Sequence, residues 1–140
     1  MVSRILVPMD GSPAAIRALM HAGARKRTTS GGVSIIVLNV QASLPPSRYV
    51  TPSMIRDHNT RMSRAALRSA RSKARQLKIA ARFYVRHGDP SSVIARFAKA
   101  MKCREIIMGT RGRGRTAVFV LGSVALRVVQ LAQAPVTLVK

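Results

Sequence analysis

Short apolar, β-branched runs alternate with longer stretches in which apolar residues recur every three or four positions, and this order constrains the fold more than any single motif. Runs at 4–9, 33–40, 79–86, 105–108 and 135–139 read as strands. Between them the spacing predicts helices over 13–27, 53–77, 92–101 and 123–131. Ser12 stands where an N-cap belongs, and Pro13 pre-sets the first helical φ. Ile16, Leu19, Met20 and Ala24 are the expected buried side of the first helix, and Val93, Ile94 and Phe97 that of the third. Pro45, Pro46 and Pro52 mark 41–52 as a loop. Strands separated by helices imply a parallel sheet with right-handed crossovers and helices on both faces. No internal repeat or linker divides the chain, so residues 1–140 are expected to form one α/β domain.

Such a sheet binds ligands beyond the carboxyl ends of its strands, where the strand order reverses. Two features fall at those ends. Asp10, one of only four acids, follows the first strand. After the fourth comes Gly109-Thr110-Arg111-Gly112-Arg113-Gly114-Arg115-Thr116, and then Gly122-Ser123 opens the last helical stretch. Glycine lets backbone N–H groups approach a ligand closely, and a helix N-terminus adds unpaired donors and a favourable dipole for an anion. Two such elements so close together suit one polyphosphate held at two places. Asp10 stands where a carboxylate could accept hydrogen bonds from a ribose or an adenine; its alternative task is to cap the helix at Pro13. Arg111, Arg113 and Arg115 offer charge-assisted bonds to phosphate, with contact expected from one of them at most.

Gly109-x4-Gly114-Arg115-Thr116 is one residue from a P-loop, but Arg stands in place of the compact Lys ammonium, and no acid follows it to hold magnesium. No dinucleotide-binding Gly-x-Gly-x-x-Gly follows the first strand either. Gly109, Gly112, Gly122 and Ser123 instead fit Gly-x2-Gly-x9-Gly-Ser without a gap. With that pattern the chain resembles the universal stress protein family over nearly its whole length. The likeness extends to Ile5-Leu6-Val7-Pro8-Met9-Asp10-Gly11-Ser12, Ile36-Val37-Leu38-Asn39-Val40, Gly88-Asp89-Pro90 and Ala134-Pro135-Val136-Thr137-Leu138-Val139, in the family's order. Arg104-Glu105 replaces the family's usual Asp-Leu ahead of the fourth strand's apolar run, and is expected to be a surface change. Met9 stands where many members have a small or β-branched residue.

The resemblance implies an open five-stranded parallel sheet of order 3-2-1-4-5, in which the first and fourth strands flank the reversal. It implies ATP as ligand, with Asp10 at the ribose or adenine, the backbone of Val40 at the adenine edge, and Gly109, Gly112, Gly122 and Ser123 at the phosphates. Pro8, Met108, Arg111 and Val124 complete the expected site. A magnesium ion beside the triphosphate would find almost no carboxylates. The resemblance further implies a homodimer joined through the apolar edge strand 136–139 and a nucleotide-dependent switch in the stress response. Neither paired carboxylates nor a Ser/His/Asp order surrounds the loop, so hydrolysis is expected to be slow at most.

Composition excludes some classes. The single Cys103 cannot form an internal disulfide and reads as a small buried residue; His21, His58 and His87 are too scattered to ligate a metal. With no targeting segment and no apolar run long enough to cross a membrane, the chain is expected in the cytoplasm. The charge has no counterpart in the resemblance: 19 Arg and six Lys stand against four acids, a formal net of +21. Arg61, Arg64, Arg68, Arg71, Arg75 and Lys78 recur every three or four residues, a stripe down one face of the second helix. Like charges at that spacing cost about 0.2–0.5 kcal/mol per step. The stripe defines a rival reading, a basic module for nucleic acid or another polyanion that needs no nucleotide. With three Phe, two Tyr and no Trp, contact through phosphates is expected rather than base stacking.

Overall fold

The computed structural model describes residues 2–110 and 121–140. Its elements are β1 (Ser3–Pro8), α1 (Pro13–Thr28), β2 (Val33–Gln41), α2 (Pro52–Gln76), β3 (Ala81–His87), α3 (Pro90–Ala100), β4 (Glu105–Gly109), α4 (Ser123–Leu131) and β5 (Val136–Val139). The five strands form one sheet in the order β3-β2-β1-β4-β5, and every pair is parallel. The expected architecture and strand order are therefore those observed.

The strand pleat sorts the core into two layers. Ile5, Val7, Ile35, Val37 and Ile107 face α1 and α2, with Leu19, Leu67 and Ala70. Leu6, Ile36, Leu38, Ile106 and Met108 face α3 and α4, with Ile94, Phe97 and Val128. Strands buried on both faces account for the unbroken apolar runs in the sequence.

The first helix is rotated from its expected phase. Ala14, Ala15, Ala18, Leu19, Ala22 and Gly23 are buried, whereas Met20 is 40% exposed and Ala24 lies in solvent. Small residues win because the backbone comes so close. A Cβ on Gly109 would lie 2.8 Å from the Ala14 carbonyl carbon, and one on Gly23 would lie 2.5 Å from Ile79 Cδ1. The second helix begins at Pro52 under a Thr51 cap and ends at Gln76, so Lys78, at φ +55°, lies beyond it. Arg61, Arg64, Arg68, Arg71 and Arg75 all lie within the helix and are exposed. α3 starts at Pro90 with Asp89 as its cap, two residues before its expected start. Glu105 is no surface residue. It is 14% exposed, paired with Arg25 and bonded by Thr137 Oγ1 at 2.7 Å. No helix among the described residues is long and apolar enough to cross a membrane.

Candidate functional site

The corner after β1 is built by its own side chains. Gly11 takes φ +84°, Asp10 Oδ1 accepts the Ser12 N–H at 2.8 Å, and Ser12 Oγ caps α1 by accepting the Ala15 N–H at 3.2 Å. Ser12 is thus the cap, and Asp10 organises the turn ahead of it. Among the described residues no donor reaches the second carboxylate oxygen of Asp10.

Beside this corner, β2 outruns β1. The ladder between them ends at Pro8 and Leu38, with the Met9 N–H donating to the Leu38 carbonyl at 2.8 Å. On its other side β2 still bonds outward, where the Gly88 N–H donates to the Gln41 carbonyl at 3.0 Å. Backbone groups alternate sides along a strand, so the N–H and C=O of Val40 face the β1 side past the last rung. Asn39, only 2% exposed, holds the end of β1 in place. Its Nδ2 donates to the Met9 carbonyl at 2.7 Å, and its Oδ1 accepts from Gln41 Nε2 at 2.8 Å. An amide inside an apolar run is the one mark of this task in the sequence.

On the far side of the crevice stands α4. Gly122 N–H donates to the Thr110 carbonyl at 2.7 Å and Thr110 N–H to the Val139 carbonyl at 2.9 Å, which ties the end of β4 to the start of α4. Gly122 is the N-cap and offers no side-chain acceptor. The other three helices are capped by Ser12, Thr51 and Asp89, each accepting a first-turn N–H. Asp89 takes the Ser92 N–H and the Ser91 hydroxyl, both at 3.1 Å, and these bonds hold its carboxyl below the usual carboxylate range. At α4 the first-turn donors are left to something outside the helix.

These elements enclose a cavity of about 410 Å³. Of the expected site residues, Pro8, Asp10, Val40, Met108, Gly109, Gly122, Ser123 and Val124 line it together. Arg111 and Gly112 lie outside the described residues. Leu38 and Thr110 also line it from the ends of β2 and β4, and so do Pro90 and Ile94, whose contribution depends on how α3 leans over β2. The cavity has an apolar floor, one carboxylate and, at one end, helix N–H donors. Gly109 has a structural duty as well, the close approach to Ala14. Among the described residues no three His, Cys, Asp or Glu gather as metal ligands. Cys103 is buried away from the cavity, and desolvation pushes its thiol up.

The model of the Universal stress protein family matches residues 1–140. Universal stress protein MJ0531 of Methanocaldococcus jannaschii is 28% identical over 138 residues, 98% of this chain and 81% of that protein. Among solved structures, universal stress protein UspA from Lactobacillus plantarum superposes with a TM-score of 0.86 at 21% identity, covering 99% of this chain and 97% of its own. The Archaeoglobus fulgidus universal stress protein in complex with dAMP scores 0.71 at 22% identity, covering 100% and 98%. A family protein from Arabidopsis thaliana with AMP bound scores 0.68 at 22%, covering 99% and 91%. At such identities the solved structures establish a shared fold. Taken with the match along the whole chain, the strand order and the crevice between β1 and β4 lead to one conclusion: the chain belongs to the universal stress protein family.

Proposed function

We propose that the cavity binds ATP and that the protein works as a nucleotide-dependent switch in the stress response, with ATP as ligand more than as substrate. The adenine lies against Val40 at the end of β2, the ribose meets Asp10, and the phosphates rest at the start of α4 with the glycine loop that precedes it. The observation that carries this reading is the N-terminus of α4, which has no side-chain cap and opens on the same cavity as Asp10. A phosphate supplies the acceptors that the helix lacks and gains from its dipole. The size and the apolar floor of the cavity suit a base and a sugar, and two solved relatives hold dAMP and AMP. A magnesium ion would be held mainly by phosphates and water. Among the described residues Asp10 is the one carboxylate in the lining and no imidazole joins it, which supports slow hydrolysis at most.

The proposal includes a homodimer joined through β5. That strand ends the sheet, its four residues are half-buried, and neighbouring α4 exposes Val124, Leu126, Val129 and Leu131. An open apolar edge is stabilised by pairing with a second copy. Light scattering at micromolar concentration should give a dimer, and a monomer would remove this part.

The nucleotide reading is tested by the double variant Gly122→Val with Ser123→Leu, which fills the space before the first-turn donors. ATP binding should be lost while the melting temperature without nucleotide stays near that of the parent. Undiminished ATP affinity in the folded variant would overturn the proposal.

A further inference from the structure

We propose that the exposed flank of α2 beside the β3 edge is a binding surface for duplex nucleic acid, which it grips by the phosphates without reading sequence. At roughly 100° per residue, Arg61, Arg64, Arg68, Arg71 and Arg75 fall within about 80° of arc. Arg71 lies 4.7 Å over the Phe83 ring of β3, which fixes that arc as the β3 side of the helix. The other flank, toward α1, carries Ala65, Ser69, Ser72 and Gln76. A uniform bias toward arginine would load both flanks; here one carries five arginines and the other none, with Lys73 as its single cation.

The surface continues beyond the helix. Lys78 extends the line past Gln76, whereas Arg82 and Arg86 lie on the opposite face of β3, where Arg86 packs on Tyr84 and Phe97. From Arg61 to Arg75 the helix rises about 21 Å, one guanidinium every 5 Å or so. Among the described residues no ion pair neutralises this line. Asp57 is the one acid on α2 and stands before Arg61, Asp10 and Asp89 lie at the cavity end of the sheet, and Glu105 is committed to Arg25. Like charges at three- and four-residue spacing destabilise a helix unless an anion lies across them. Planar guanidinium groups suit phosphodiesters, which they contact in pairs of hydrogen bonds. Along the stripe Leu67 is buried and Met62 and Leu77 are half-buried, so the cationic flank has no exposed apolar face to lay into a lipid surface. Aromatic platforms for single strands are also lacking along the stripe. Because β3 and β5 are opposite edges, occupation of β5 leaves this surface open.

The test is fluorescence anisotropy of a DNA duplex of about 20 base pairs, titrated with full-length protein between about 50 and 200 mM KCl. Two triple variants remove equal charge. One carries Arg64→Gln, Arg68→Gln and Arg75→Gln; Arg71 is kept because it packs on Phe83. The other carries Lys99→Gln, Lys102→Gln and Arg104→Gln, at the far end of α3. The stripe variant should lose about tenfold or more in affinity at the lower salt, and its log–log salt slope should fall by about 2–3. The α3 variant should keep most of both. Equal losses in the two variants would show attraction by net charge alone and overturn the proposal, as would no duplex binding at the lower salt. Binding to anionic phosphatidylserine vesicles in place of the duplex would overturn it too. Circular dichroism of both variants shows that the comparison is between folded proteins.

Discussion

At Gly109 a motif position proves to be a packing position as well. The last residue of β4 touches the first turn of α1 so closely that a Cβ would lie 2.8 Å from Ala14 atoms, and backbone cannot yield as a side-chain tip can. Gly109→Ala should therefore destabilise the protein by about 1–3 kcal/mol even without nucleotide, measured by urea unfolding. Asp89 makes a different prediction. Its carboxyl sits below its ordinary value because Ser92 and Ser91 donate to it. A depressed folded pKa means stability that is present above the unfolded value, 3.8, and lost as pH falls through the folded one. Asp89→Ala should lower the melting temperature at neutral pH, and the gap from the parent should narrow below pH 3.8. Glu105 marks a limit of sequence reading. Its partner Arg25 is 80 positions away, and no local pattern links the two. Arg25→Ala leaves a mostly buried carboxylate with Thr137 alone and should cost about 1–2 kcal/mol by the same unfolding assay, less than in a fully dry pair because Arg25 is 42% exposed.

At the scale of elements, the starts of α1 and α4 and the buried side of α3, with Val93, Ile94 and Phe97, were readable from the sequence, whereas the phase of α1 and the Thr51 and Asp89 caps were not. Ser12-Pro13 and Gly122-Ser123 identify two helix starts because a cap is a local arrangement. Which face of α1 is buried depends on how near β4 and Ile79 approach, so alanines and Gly23 outrank Met20 despite its greater hydrophobicity. Likewise Asn39 earns its task only when β1 ends beside it. The missing cap on α4 leads to a prediction with two signs. Gly122→Asp supplies the acceptor that the helix lacks and should stabilise the nucleotide-free protein by a few tenths of a kcal/mol. The same carboxylate would occupy and repel the phosphate position, and ATP affinity should fall by more than about tenfold. A variant that is less stable and still binds ATP would mean that the α4 N-terminus needs no anion.

For the whole molecule, strand–helix alternation was enough to reach a parallel sheet with right-handed crossovers, whereas its strand order was implied by the family resemblance and, with the motifs at two strand ends, located the crevice. The lining from α3 escaped notice, since Pro90 and Ile94 join the cavity only through the packing of a helix over β2. A ligand that binds only the folded chain stabilises it by about 2.7 kcal/mol at a hundredfold excess over its Kd. For a domain of this size that raises Tm by roughly 5–10 °C. The most direct measurement needs no added ligand. Purified protein is washed in high salt to strip polyanions, then denatured, and the released small molecules are resolved by anion-exchange chromatography. ATP or ADP at close to one per chain is the predicted result. A protein that releases no nucleotide and then fails to bind added ATP with magnesium would contradict the nucleotide reading of the cavity.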